Sequence, residues 1–247
     1  MADTVTTTKL AEQWHALKQE ESLRIRDAAD RLGCSELELL VGAMERPDLH
    51  PELSARKITG SLPECFTRVS ELGTVMALSR NDAVVSETHG DYGEVHQRGQ
   101  AALVHSDDID LRVDFTHWHY GFVVHMSSHG RELDSLQFFD CDGTAVHKIY
   151  LEAGSNRAVF DEIKASASPQ PPRLSLAPAA PSPDTRGRSE VDPAELRDRW
   201  RKLTNVHQFT GMLKQLGVSR LAAVRAVGEE FARPATQDAH RHLLQAA

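Results

Sequence analysis

Residues 166–193, SASPQPPRLSLAPAAPSPDTRGRSEVDP, hold seven of the eleven prolines of this 247-residue chain. No helix survives such spacing, because each proline removes an amide donor and clashes with the preceding turn. A central strand is excluded for the same lost donor. With Ser, Ala and Gly between the prolines and no apolar period, the stretch reads as an extended, mobile linker. It divides the chain into residues 1–165 and 194–247.

The two flanking segments differ in hydrophobic period. Residues 7 to about 58 carry helical spacing, as in Leu23, Ala28, Ala29 and Leu32, then Leu37, Leu40 and Val41 after an LGCS turn. From about 73 to 151 the period becomes two. TVMALS and AVVSETH flank Arg80, Asn81 and Asp82; AALVH, DLRVDF and YGFVVHMS follow; LDSLQFFD and AVHKIYLE are joined across Asp142-Gly143, a hairpin signal. The pattern predicts an α+β unit: helices, then an antiparallel meander of about seven strands, closed by a helix in SNRAVFDEIKAS.

The segment after the prolines reads as helical and echoes the start. EQWHALKQ matches DRWRKLTN through Trp14/Trp200 and Leu17/Leu203, and ADRLGCSELELL matches LKQLGVSRLAAV through Leu32/Leu216, Gly33/Gly217, Ser35/Ser219 and Leu37/Leu221. Self-similarity of this kind marks a duplicated unit. The chain thus reads as one complete repeat plus the helical front of a second.

Composition narrows the function classes. The net charge of −8 disfavours non-specific binding to nucleic acid. No run of about 18 apolar residues suggests membrane insertion, and no secretory leader is visible. Cys34, Cys65 and Cys141 lie far apart with no CxxC pair, which fits a reducing cytoplasm. Histidine is over-represented at thirteen, which raises metal or haem chemistry.

Three motifs carry candidate chemistry. IRDAADRLGCSELELL has the form of a helix-turn-helix, but its second helix would offer Glu36 and Glu38 to phosphates, so a structural hairpin is the better reading. FTHWHYGFVVH places His117 and His119 two apart, with His125 on the same strand face, a set that could hold a metal if another ligand converged. Sheet-face histidines bonded to neighbours are the plainer account. NVHQFTGMLKQL sets His207 in the first turn of a helix beside Val206, Phe209, Met212 and Leu213, with Lys202 and Lys214 near. A haem needs an imidazole, an apolar slot and cations, although a solvated surface histidine would look alike.

Taken together, RDAADRLGCSELELL, GTVMALSRNDAVVSETHGDY, DIDLRVDFTHWHYGFVV, SLQFFDCDGTAVHKIYL and WRKLTNVHQFTGMLKQ, in this order, resemble the HemS/HmuS/ChuS-type haemin-degrading factors, cytoplasmic haem-binding proteins of bacterial haem uptake. The resemblance implies tandem repeats with haem b between them, His207 as proximal iron ligand and Arg112 as distal group. Phe209 and Lys202 are further pocket candidates. It also implies a haem-uptake transporter and a haem oxygenase acceptor as partners. Binding and transfer are the expected activity, with haem degradation as a second. A helix-turn-helix regulator, or a shortened paralogue without activity, stand as alternatives. Full members continue into a second sheet that this sequence does not contain.

Overall fold

The computed structural model describes residues 6–81, 84–128, 130–178, 190–206 and 208–233. The chain forms two compact units, Met1–Ala179 and Ala180–Ala247. His207, Asp82, the middle of the proline-rich stretch and residues 234–247 lie outside the described residues.

The first unit opens with helices α1 (Thr7–Glu20), α2 (Ile25–Leu32) and α3 (Glu36–Glu45). Gly33 stops α2 in the left-handed conformation at φ +68°, and Ser35 starts α3 with a capping box, its hydroxyl accepting from Glu38 N–H. Helix α3 is buried along Leu37, Leu39, Leu40, Val41 and Ala43. Gly42 is required there, since a Cβ would stand 2.5 Å from the carbonyl oxygen of Thr7 on α1. Buried Glu36 accepts from Lys148 Nζ at 2.8 Å and also pairs with Arg80. A helix so enclosed cannot enter a DNA groove, so α3 is not a recognition helix.

Nine strands follow among the described residues: β1 (Leu53–Lys57), β2 (Thr74–Arg80), β3 (Val85–Asp91), β4 (Glu94–Arg98), β5 (Ala101–His105), β6 (Asp110–Asp114), β7 (Tyr120–Ser128), β8 (Arg131–Phe139) and β9 (Ala145–Leu151). A short helix α4 (Leu62–Thr67) precedes β2, and α5 (Arg157–Ser166) follows β9. The α+β class and the helices-then-sheet order agree with the sequence. A single meander does not: the strands form a six-stranded antiparallel sheet, β1-β7-β8-β9-β2-β3, and a separate three-stranded one, β4-β5-β6. The two strands missed, LSARK and EVHQR, are short and mostly polar, so neither shows a run of alternating apolar residues.

The middle strands of the six-stranded sheet are covered on both faces. Phe122, Val124, Phe139 and Ala145 pack with Leu10, Trp14, Leu37 and Leu40 of the first helices. Val123, Leu136, Phe138 and Ile149 face the other way, onto Phe66, Phe160, Ile163 and the inner residues of the small sheet.

Part of the proline-rich stretch is fastened to this unit. Lys57 and Ser168 exchange backbone hydrogen bonds at 2.8 Å, Ala177 N–H donates to the Cys141 carbonyl, and Ser175 is bound through both backbone groups by the Tyr120 hydroxyl. Leu174 and Leu176 pack on the helix-side core. Prolines leave a chain extended, and an extended chain can run along a surface as a strap.

The second unit has α6 (Pro193–Arg201), α7 (Gln208–Leu216) and α8 (Arg220–Val227). Its core is Leu196, Phe209, Met212, Leu213, Val218, Ala223 and Val227. The likeness to the chain start extends to turn geometry: Gly217 sits at φ +62°, and Ser219 caps α8 by accepting from Ala222 N–H.

Candidate functional site

The small sheet β4-β5-β6 carries Arg112. In IDLRVDF alternate residues point to opposite faces. Ile109 and Val113 are buried, and Asp110, Arg112 and Asp114 are exposed. Ser106 holds the β5–β6 hairpin: its hydroxyl accepts from Ile109 N–H at 2.9 Å and donates to the Asp91 carbonyl at 2.7 Å. The sheet register then fixes who stands beside Arg112. Leu103 pairs with Arg112 on one side and with His96 on the other; His105 pairs with Asp110 and Glu94; Ala101 pairs with Asp114 and Arg98.

Directly paired residues share a face, so the outer face of this sheet consists of three rows. Its middle strand offers half-exposed Ala101 and Leu103 and exposed His105, and its flanks offer exposed Glu94, His96, Arg98, Asp110, Arg112 and Asp114. The opposite face, with Ala102, Val104 and Val113, is buried in the core. An apolar centre with the guanidiniums of Arg98 and Arg112 and two imidazoles beside it offers groups that a flat, amphipathic anion such as haem uses, and the carboxylates of Glu94, Asp110 and Asp114 stand on the same face.

The other histidines are not assembled as the sequence suggested. His117 ends a single 3-10 turn, Phe115–His117, and His119 lies in the loop before β7, so neither shares a strand face with His125. The cause is the Asp114 carboxylate, which accepts from the N–H and hydroxyl of Thr116 and turns the chain. His125 is instead held between Asp134 at 2.8 Å and Glu132 at 2.9 Å, with Arg157 on Asp134. Among the described residues no group of three or more His, Cys, Asp or Glu side chains could hold a metal ion.

In the second unit, His207 precedes α7 and lies outside the described residues. Among its neighbours in sequence, Val206 is exposed, and Thr204 N–H donates to the Gln208 side chain at 3.0 Å across the helix start. Phe209 is a core residue of this unit, its ring 4.5 Å from that of Trp200, because three short helices have few other large apolar groups to bury. Lys202 is exposed.

A buried polar relay behind the small sheet had no signature in the sequence. Tyr92, in the β3–β4 connection, meets His147 Nε2 on β9 at 2.5 Å, and Ser79 Oγ lies 2.8 Å from His147 Nδ1. Burial pushes the imidazole down to about 4 and the Tyr92 phenol well above its ordinary range. The relay ties the segment leading into β4 to the large sheet, and so sets where the small sheet stands. Its partners are 55 positions apart, beyond any local pattern.

Residues 35–166 match the family model of the haemin-degrading HemS.ChuX domain. The chain is 30% identical over 224 residues to hemin transport protein HmuS of Yersinia pestis, which covers 90% of this chain and 62% of that protein. It is 30% identical over 226 residues to hemin transport protein HemS of Yersinia enterocolitica, again over 62% of the relative. Among solved structures it is similar to holo-PhuS, a heme-binding protein from Pseudomonas aeruginosa. That match has a TM-score of 0.75 and 31% identity, and it covers 98% of this chain and 69% of the other. The chain therefore spans 62% of the length of the curated relatives it matches. By the extent of the family match and by its fold, this chain belongs to the haemin-degrading HemS.ChuX domain family.

Proposed function

We propose that this protein binds haem b in the cytoplasm and passes it on, with His207 as the iron ligand and Arg112 holding a water or hydroxide on the iron. The observation that carries this reading is the placement of Arg112 on an exposed sheet face whose centre is apolar and which also bears Arg98 and His96. Relatives described as hemin transport and heme-binding proteins support it. A guanidinium remains charged at all working pH values and donates hydrogen bonds without ligating iron, which suits a group that orders an oxygen ligand. Exposed Lys202 serves a propionate. A haem-uptake transporter is the proposed source, and a haem oxygenase the proposed acceptor. Transfer is favoured over ring opening, since no general acid or base stands in the row of Arg112 other than His96.

Titrating ferric haemin into the full chain and into His207→Ala and Arg112→Ala tests the assignment. The wild type is expected to give a sharp Soret band at one equivalent. His207→Ala loses the histidine-ligated spectrum and about 10–100-fold in affinity. Arg112→Ala keeps its affinity within that range but changes the ferric spectrum and its pH dependence. An Arg112→Ala spectrum identical to wild type across a pH titration rejects the distal assignment; unchanged binding by His207→Ala moves the ligand elsewhere.

A further inference from the structure

The start of the proline-rich stretch is fastened to the first unit at two ends, and the fastenings differ. At the inner end Ser168 exchanges backbone hydrogen bonds of 2.8 Å with Lys57 on the edge strand β1. Beside it, Arg56 Nε donates to the Ala167 carbonyl and the Thr59 hydroxyl to that of Ser166, each at 3.0 Å. Ala167 is buried in the core on the small-sheet side. At the outer end Leu174 and Leu176 are only half-buried against the helix-side core, and Arg173, Ser175 and Ala177 between and beside them are exposed. The Tyr120 hydroxyl accepts from Ser175 N–H at 3.0 Å and donates to its carbonyl at 3.3 Å. Ala177 N–H donates to the Cys141 carbonyl at 2.8 Å, and the Cys141 thiol lies 3.9 Å from the Pro178 carbonyl.

Between the two ends stand Pro169, Pro171 and Pro172, which have no amide to donate. Among the described residues no hydrogen bond joins 169–173 to a strand or helix; the Gln170 amide donates to the Ser168 hydroxyl next to it. We infer that residues 169–178 form a latch: the outer end opens from Tyr120 and recloses on it by itself, turning about the proline segment, while Ser168 stays on β1.

Holding 174–178 in one conformation costs backbone entropy that a few hydrogen bonds and two half-buried leucines barely offset, so the outer end stands near balance. The inner end is tied to the sheet ladder and shares its stability. The prolines limit the freedom gained on opening, which keeps the closed state within reach. Opening moves the point where the chain leaves the first unit from Pro178 back to Ser168, a stretch that spans up to about 35 Å when extended. The latch thereby sets how much chain is available towards α6. It involves no haem ligand and stands or falls apart from the proposed function.

Native-state hydrogen exchange of the full chain, followed by NMR at single amides and corrected for intrinsic rates, reads the two ends separately. In the wild type the Ala177 amide is expected to exchange about a hundredfold faster than the Ser168 amide, yet slower than an unprotected one. Tyr120→Phe keeps the ring and deletes the clamping hydroxyl. It should speed Ala177 by about fivefold to tenfold and leave Ser168 unchanged. Leu174→Ser, which weakens the apolar contact and spares Tyr120, should act in the same direction. Thr59→Ala, at the inner end, should leave Ala177 unchanged. Ala177 and Ser168 exchanging at one common rate in wild type and variants would make the strap an inseparable part of the sheet and overturn the latch. So would a wild-type Ala177 amide as fast as an unprotected one, or a Tyr120→Phe protein in which Ala177 does not move.

Discussion

His147 shows how far a single buried ring can link stability to pH. Its two nitrogens are engaged by Ser79 and Tyr92, and burial holds the folded-state imidazole neutral down to about pH 4, against an ordinary value of 6.5. A depressed histidine contributes stability that is complete above the unfolded value and is lost as pH falls. Between pH 6.5 and about 4 the unfolded chain takes up a proton that the folded chain refuses. The loss over that window amounts to about 3 kcal/mol at most, at 1.36 kcal/mol per unit. Urea unfolding midpoints measured from pH 7 to 4 should fall for wild type and fall distinctly less for His147→Gln. Parallel pH profiles for the two proteins would assign the acid sensitivity to other groups.

Helix α3 shows how an element can match a motif and have another role. Its turn and cap are those of a helix-turn-helix, yet its first residue, Glu36, is a buried anion serving two cations, Lys148 from β9 and Arg80 from β2. One carboxylate thereby locks the helical layer to two strands. Removing it leaves buried Lys148, whose amine burial already pushes down to about 7, and half-buried Arg80 without their carboxylate, and losing one partner of a buried pair costs up to about 3–5 kcal/mol. Glu36→Ala should show this loss in denaturant unfolding, while Glu38→Ala, which removes a capping contact, should lose only about 1 kcal/mol. A loss below 1 kcal/mol for Glu36→Ala would mean that the bridge to Lys148 and Arg80 does not form in solution. Strand β6 is the opposite case. Its alternating sequence alone indicated which face would hold Arg112, because a buried neighbour every second residue leaves no other register.

Across the whole molecule, the division between units is shaped by the proline-rich stretch. Residues 167–178 belong with the first unit, where they bridge to β1 and cover part of the helix-side core. A fragment ending at Ala165 retains every helix and strand of the first unit except the last residue of α5, so it should fold, but with Lys57 lacking its Ser168 partner and the surface under Leu174 and Leu176 uncovered. A fragment ending at Pro178 should melt at a higher temperature, because the strap partly buries Leu174 and Leu176 and restores the two Lys57–Ser168 hydrogen bonds. Thermal melts of the two fragments by circular dichroism measure the difference. Equal melting temperatures would show that the strap adds nothing, and an insoluble Pro178 fragment would place the helices after residue 190 in the folding unit.

Periodicity and turn chemistry follow from covalent geometry within a few residues. For that reason the sequence by itself determined the α+β class, the Gly33–Ser35 helix junction, the Asp142-Gly143 hairpin, the repeated helical front and the outward face of Arg112. What lies beside Arg112 depends on strand register, and register depends on which faces are buried against partners far along the chain. Only the tertiary structure therefore decided that the strands part into two sheets, that His96 and Leu103 share a row with Arg112, that Tyr92 reaches His147, and that Glu36 is an internal anion. His117 and His119 were read as strand residues because their spacing is that of a strand. The Asp114 side chain, by bonding its own neighbour Thr116, ended the strand before them.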